Sequence, residues 1–258
     1  MRISPLLLPD PTGALRFPFP LAILRFAAYL CSPFVLHDTA DGLPMARNKE
    51  FRKATYLELP RCYDASEAHA GRWAGYFGNS QPLTLELGCG KADFSVEMAR
   101  QYPERNFLGI DLKPARLFYP GRRIEAEGIP NLALLAAHLL ELPRHVAPAE
   151  ASEIWITFPD PFPKKRQAKH RMINPPFLRI YREALQPGGT LHFKTDNREL
   201  FLYALEVFVQ QDRVDFTYLT FDLHADPGAP ADARILTAYE RLFMAEGKQI
   251  NYVSFRFR

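Results

Sequence analysis

The strongest constraint on this chain is a regular alternation of short apolar runs with amphipathic segments after Pro82. The apolar runs are Leu83–Leu87, Asn106–Ile110, Leu132–Ala136, Glu153–Phe158 and Thr190–Lys194. Helical patterns separate them at Asp93–Gln101, Ala115–Glu127, Pro176–Leu185 and Asn197–Gln210. Strands that alternate with helices of this length predict an α/β fold with a doubly wound, mostly parallel sheet.

The C-terminal part adds two candidate strands, Asp215–Phe221 and Ile250–Phe257, with a helix near Ile235–Glu246 between them. They bring the predicted sheet to seven strands, and the C-terminal strand is expected to run antiparallel to the others. Gly188 and Gly189 predict a helix end and a turn into the fifth strand.

Residues 1–44 differ in character, with seven prolines and no sustained period. The apolar run at 20–36 is interrupted by Arg25 and is short for a membrane span. Three interpretations are open: a signal peptide, a disordered extension, or translated sequence upstream of the true start. We favour the last two, because the motifs below require an intracellular cofactor. Residues 45–82 are then expected to form a basic arm, and residues 83–258 the main domain.

The overall charge is uninformative, because 32 Lys and Arg stand against 29 Asp and Glu. A mildly basic chain permits an anionic partner without demanding one. The cysteines, Cys31, Cys62 and Cys89, include no Cys-x-x-Cys pair, so no metal site is predicted. We interpret them as reduced thiols of a cytoplasmic protein.

The first strand ends in the sequence LELGCG at 85–90. Gly88 and Gly90 let the backbone turn tightly and approach a ligand closely. At the end of the second strand, Asp111 can accept hydrogen bonds from both hydroxyls of a ribose. The alternative is a tight strand-to-helix turn without a ligand.

Dinucleotides and S-adenosylmethionine both carry such a ribose, so an NAD-dependent dehydrogenase must be considered. Asp93 stands where the dinucleotide motif has its third glycine, and Glu86 adds a second carboxylate. These charges would repel a pyrophosphate but not a sulfonium or an ammonium group. The sequence therefore favours S-adenosylmethionine.

The fourth strand ends in FPDPFP at 158–163. Its prolines make a rigid exit from the strand, and ligands of open α/β sheets bind beyond this end of the strands. We therefore expect Asp160 to face the cofactor, the alternative being a turn carboxylate that bonds to nearby backbone amides. The segment 164–171 follows with five Lys or Arg in eight residues. It predicts contacts with nucleic-acid phosphates, although a solvated charged loop would have the same composition.

From about Met45 onward, these motifs resemble the bacterial tRNA (guanine-N7-)-methyltransferase family. The resemblance rests on RNK at 47–49, LELGCGK at 85–91, FPDPFPKKR at 158–166, PGG at 187–189, KTD at 194–196 and TAYE at 237–240. The FPDP element is highly specific, whereas the glycine motif is shared by methyltransferases generally. The resemblance implies a Rossmann-like fold and methyl transfer from S-adenosylmethionine to guanine N7 in the variable loop of tRNA, without a metal.

The resemblance also implies roles for individual residues. Asp160 matches the proposed active-site acid, and the cofactor-binding places are Glu86, Gly88, Gly90, Asp111 and Asp160. The substrate-contacting places are Lys164, Asp196, Thr237, Ala238, Tyr239 and Glu240. The family usually has an aspartate beside the adenine, but this chain reads Ala136-Ala137-His138. Either His138 takes that role or backbone groups alone hold the adenine.

Two other functions stay open at this stage. A methyltransferase of the same fold could act on a protein or a small molecule, which the basic segment disfavours. A non-catalytic RNA-binding module is disfavoured by Glu86, Asp111 and Asp160 together. The expected partner is tRNA, with no membrane and no obligate protein partner, and the sequence is compatible with a monomer or a homodimer.

Overall fold

The computed structural model describes residues 48–211 and 214–258. The predictions for residues 1–44 lie outside the described residues. Within them, eight strands form one sheet in the order β1-β4-β3-β2-β5-β6-β8-β7. The strands are β1 (Cys62–Asp64), β2 (Leu83–Leu87), β3 (Asn106–Asp111), β4 (Leu132–Ala136), β5 (Ala151–Thr157), β6 (Leu185–Thr195), β7 (Val214–Thr220) and β8 (Asn251–Phe257).

The helices lie mostly between successive strands. They are α1 (Lys49–Tyr56), α2 (Trp73–Phe77), α3 (Asp93–Gln101), α4 (Pro114–Glu127), α5 (Leu142–His145), α6 (Pro175–Ala184), α7 (Arg198–Val209) and α8 (Ala238–Ala245). In the described ranges, two short 3-10 helices occupy Leu139–Glu141 and Lys165–His170. The four helical patterns predicted before residue 211 correspond to α3, α4, α6 and α7 within one residue at each end.

The predicted α/β fold is confirmed. Strands β1 to β6 pair in parallel, and β8 lies antiparallel between β6 and β7. The structure adds one strand to the seven predicted, because β1 pairs with β4 and places Cys62 opposite Leu134. The structure also starts β6 at Leu185 rather than Thr190, since Leu185 pairs with Ala151 before a register shift.

The core lies on both faces of the sheet, as the alternation of side chains along each strand requires. In β5, Ile154 and Ile156 pack into one cluster and Trp155 into the other. Helices α2, α5, α6 and α7 contribute to the first cluster, and α1, α3 and α4 to the second. Because helices cover both faces of the sheet, the loops that can form a site emerge at the carboxyl ends of β2 to β6.

The segment before β2 packs closely against α4 of this core. Phe51 of α1 contacts Phe118 of α4, with 6.4 Å between the ring centroids. A Cβ atom at Gly121 would lie 2.8 Å from the Cys62 Sγ atom and 2.9 Å from Leu59 Cδ1. Glycine at position 121 therefore lets α4 approach β1. In the part of the chain that the structure describes, we find no helix with the length and apolar character needed to cross a membrane.

Candidate functional site

The turn between β2 and α3 has a backbone that favours glycine. Gly88 and Gly90 have φ angles of 70° and 61°. The N–H groups of Gly88 and Cys89 donate to the Ile110 carbonyl oxygen at 2.8 and 3.1 Å, which fixes the turn to the end of β3. A Cβ atom at Gly88 would lie 3.0 Å from the Met172 Sδ atom. Only glycine fits here without displacing the methionine.

Glu86 lies beneath this turn and is almost fully buried. One carboxylate oxygen accepts hydrogen bonds from the Ser95 N–H at 3.0 Å and the Ser95 hydroxyl at 2.5 Å. The other accepts from the Thr157 hydroxyl at 2.8 Å. Burial raises the pKa of Glu86 to about 7, and these hydrogen bonds lower it in part. Glu86 thus links β2 to the first turn of α3 and to the end of β5.

Asp111 lies beside the same turn, as the sequence predicts. Its carboxylate accepts hydrogen bonds from the Gly90 N–H at 3.1 Å, the Lys113 N–H at 2.9 Å and the Arg116 guanidinium at 3.2 Å. The residue is 5% exposed, so only a small part of the carboxylate faces solvent. The glycine turn and the carboxylate that the sequence assigns to a ribose therefore form one unit.

Asp93 does not contribute the free charge that the sequence predicts for this pocket. Its carboxylate forms an ion pair with Arg123 of α4, with 3.0 Å between Arg123 Nη1 and Asp93 Oδ1. Asp93 therefore adds no unpaired charge at this pocket, and the charge of Glu86 is also engaged within the protein.

His138 follows β4 and is exposed. Its Nδ1 atom accepts a hydrogen bond from the Leu140 N–H at 3.1 Å, which caps the 3-10 helix Leu139–Glu141. The neighbouring Ala137 N–H donates to the Asp111 carbonyl oxygen at 3.1 Å. An aspartate would accept the same capping bond. His138 is therefore the N-cap of this 3-10 helix.

The loop 158–163 holds Asp160 between two strained residues. Phe158 and Phe162 have φ angles of 48° and 43°, in the left-handed region that non-glycine residues rarely adopt. Asp160 is exposed. The Phe158 N–H donates to the Lys194 carbonyl oxygen at 2.8 Å, which fixes the start of the loop to β6.

Arg171 holds the other end of this loop. Its guanidinium donates to the carbonyl oxygens of Pro161 and Phe162 at 3.0 and 3.1 Å and lies 4.3 Å from the centre of the Tyr203 ring. Arg171 is thus engaged within the protein, although the sequence counts it in the basic segment. The exposed side chains of that segment include Lys164, Arg166, Lys169 and His170.

Asp196 follows β6 and is partly buried. It forms an ion pair with Lys248, with 3.2 Å between Nζ and Oδ2. Lys248 also pairs with Glu246 at 3.0 Å and lies 4.5 Å from the centre of the Phe243 ring. The structure therefore holds Asp196 against the connection between α8 and β8.

The predicted substrate contacts at 237–240 divide into two pairs. Thr237 and Glu240 form a capping box at the start of α8, with 3.2 Å from the Glu240 N–H to the Thr237 hydroxyl oxygen. They are 5% and 0% exposed, so their side chains do not face solvent as substrate-contacting groups would. Ala238 and Tyr239 between them are exposed. The T-x-x-E pattern of TAYE is itself the sequence signature of such a box.

The sequence does not indicate that Lys194 is buried. Its ammonium group is fully buried and lies 2.8 Å from Glu240 Oε1, which also pairs with His224 Nε2 at 2.7 Å. It donates to the carbonyl oxygens of Ala233 and Ile235 at 2.7 and 3.1 Å. Burial lowers the pKa of Lys194, and the Glu240 carboxylate opposes that shift.

The structure thus brings most predicted site residues to the carboxyl edge of the sheet. One group of residues lies at the glycine turn and comprises Gly88, Gly90, Asp111 and Met172. A second group lies at the loop that carries Asp160, and Lys194 fixes the start of that loop. Throughout 48–211 and 214–258, no cluster of three or more His, Cys, Asp or Glu side chains is arranged to hold a metal ion.

Comparison with known proteins assigns the chain to a family. Residues 80–253 match a family model described as "Putative methyltransferase". A tRNA (guanine-N(7)-)-methyltransferase of Cytophaga hutchinsonii is 38% identical over 219 residues, which cover 83% of this chain and 99% of that protein. One of Streptococcus suis is 40% identical over 188 residues, or 73% of this chain and 87% of that protein. The chain belongs to the tRNA (guanine-N(7)-)-methyltransferase family.

A solved structure supports the fold of this family member. The 16S rRNA methyltransferase KamB superimposes with a TM-score of 0.54 and 15% sequence identity, over 73% of this chain and 94% of that chain. At this identity the likeness concerns the fold alone. The Rossmann-like arrangement predicted from the sequence is thereby confirmed.

We predict that Glu240→Gln lowers the free energy of unfolding by about 3–5 kcal/mol, because it leaves the Lys194 ammonium group buried without a counter-charge. Urea denaturation measures this loss. The control is Arg122→Gln, which removes an exposed ion pair with Glu125 and should cost no more than about 1 kcal/mol. A loss below about 1 kcal/mol for Glu240→Gln would contradict the structural importance of the buried pair.

Proposed function

We propose that this chain transfers a methyl group from S-adenosylmethionine to N7 of a guanine in the variable loop of tRNA. The observation that carries the proposal is the position of the exposed Asp160 loop on the same sheet edge as the glycine turn and Asp111. Exposed cations follow that loop directly in the chain. Membership in the family supports both substrates, and a tRNA substrate implies a cytoplasmic location.

The residues around the glycine turn fit the methyl donor. The left-handed backbone at Gly90 gives a ligand access to the main chain without a Cβ atom in the way, whereas Met172 packs over Gly88. We assign the ribose hydroxyls to Asp111 and the adenine to backbone groups near His138, with His138 itself as the second possibility. Glu86 supports the turn from below, because three donors of the chain already engage its oxygens.

S-adenosylmethionine supplies an electrophilic methyl group on a sulfonium. Guanine N7 carries a lone pair that faces the major groove, so no residue needs to remove a proton before the attack. The protein must instead align N7 with the methyl carbon at short distance. Rigid loops at the ends of β2 and β5 suit this task, because their backbones are fixed by Ile110 and Lys194.

Asp160 has a positioning and electrostatic role in this proposal. As positive charge moves onto the purine, a fixed carboxylate nearby stabilises it and can accept hydrogen bonds from guanine N–H groups. Asp196 is the candidate partner for the base or its ribose. Tyr239 and Ala238 are exposed in the first turn of α8, whereas the buried Thr237 and Glu240 form the capping box that fixes this turn.

The cations after the loop are assigned to the RNA backbone. Lys164 lies four residues beyond Asp160, so we assign it to the target nucleotide or its phosphate. Arg166 and Lys169 are exposed on the 3-10 helix that follows and are assigned to neighbouring phosphates. Arg171 instead holds the loop.

We predict that Asp160→Asn lowers turnover on the order of 10²-fold while binding of S-adenosylmethionine persists, because the change removes charge but keeps shape. Single-turnover methylation and calorimetric donor binding measure the two effects. Glu206→Gln, which removes an exposed carboxylate from α7, is the control and should leave both values unchanged. Near-normal turnover of the Asp160→Asn protein would remove Asp160 from the active centre.

We further predict that Arg166→Gln combined with Lys169→Gln flattens the salt dependence of tRNA binding. Two lost phosphate contacts should reduce the slope of log affinity against log salt concentration by about 1.4–1.8. Donor affinity should stay unchanged, since the donor residues lie on other loops. The double variant Arg122→Gln, Arg179→Gln removes two exposed cations elsewhere and should keep the wild-type slope. Identical slopes for wild type and the first variant would mean that these side chains only face solvent.

A further inference from the structure

The Asp111 carboxylate already accepts three hydrogen bonds from the protein. A carboxylate has about four acceptor positions. Three are engaged, by the backbone N–H groups of Gly90 and Lys113 and by the side chain of Arg116. Recognition of a ribose through both hydroxyls requires two acceptor positions. One of the three present donors must therefore leave.

The three donors differ in how easily they can move. The Gly90 N–H belongs to the turn that is anchored on Ile110, and the Lys113 N–H is fixed at the cap of α4. Arg116 is a long side chain, and it is 45% exposed while its partner Asp111 is 6% exposed. An ion pair with one partner this exposed contributes little stability. The ribose would therefore displace Arg116 and leave the backbone donors in place.

The surroundings of Arg116 indicate what it would contact after release. The first turn of α4 contains no acidic residue with which the released guanidinium could form an ion pair. Two further exposed cations, Lys91 and Lys113, flank the glycine turn and the cap of α4. Released at this basic rim, a guanidinium is suited to a phosphate, which it can bind in bidentate geometry.

We propose that Arg116 is a phosphate contact that depends on the methyl donor. When the ribose of the donor occupies the Asp111 carboxylate, Arg116 turns from Asp111 to a phosphate of the tRNA. Donor and tRNA then bind with positive coupling, and by linkage each raises the affinity for the other by the same factor. This inference rests on the proposed function and adds to it a coupling between the binding of the two substrates.

The test compares tRNA binding over a range of salt concentrations with and without saturating S-adenosylhomocysteine. This probe carries the ribose, has no net charge and transfers no methyl group. In wild type it should steepen the slope of log affinity against log salt concentration by about 0.7–0.9, the value of one added phosphate contact. In Arg116→Gln the two slopes should coincide. Arg122→Gln, which changes an exposed arginine of the same helix, should behave as wild type.

A second measurement separates this role from a structural one. Without RNA, Arg116→Gln should bind S-adenosylhomocysteine as tightly as wild type or up to about fivefold more tightly, because a competitor for Asp111 is gone. Weaker binding would mean that Arg116 only holds Asp111 in place. Equal slopes in wild type, or a steepened slope in Arg116→Gln, would also overturn the inference. If wild type binds neither the probe nor tRNA, the proposed function fails instead.

Discussion

The site depends on the buried ion pair between Lys194 and Glu240. Removing two charges from water costs several kcal/mol per ion, so such a pair persists only with close contact and further hydrogen bonds. Here Lys194 Nζ lies 2.8 Å from Glu240 Oε1, and His224 contacts the same carboxylate oxygen. Two backbone carbonyl groups accept further hydrogen bonds from the Lys194 ammonium group. The pair joins the end of β6 to α8 and the segment before it. Because the Lys194 carbonyl group also receives the Phe158 N–H, the same residue fixes the start of the loop that carries Asp160.

A second buried carboxylate connects this half of the site to the glycine turn. Glu86 accepts from Ser95 in α3 and from Thr157, the last residue of β5. Thr157 directly precedes Phe158, so one side chain couples the turn at Gly88 to the Asp160 loop. Met172 closes over Gly88 from the segment that follows the basic residues. The glycine turn and the Asp160 loop are therefore positioned by the same few interior contacts.

The sequence pattern predicted the strands and helices of the main sheet, because strands that are buried on both faces are continuous apolar runs and each helix buries one face. The unit of Gly88, Gly90 and Asp111 was also predictable, since parallel strands bring their carboxyl ends to one edge.

The short strand β1 was not predictable, because three residues are too few for a period. The sequence also gave no sign that Lys194 is buried or that Arg171 turns inward, since both depend on partners distant in the chain. The T-x-x-E pattern of a capping box did indicate structural roles for Thr237 and Glu240. The match of these residues to the family's substrate-contacting positions outweighed that indication.

In the mechanism that we propose, N7 itself is the nucleophile and the protein supplies alignment rather than proton removal. The direct measurement uses labelled S-adenosylmethionine with two tRNA transcripts that differ only in carrying guanine or 7-deazaguanine at the target position of the variable loop. The second base has a C–H group where N7 would be and offers no lone pair. We expect methyl incorporation into the guanine transcript and none above background into the other, with similar binding of both RNAs. Equal incorporation into both would contradict it.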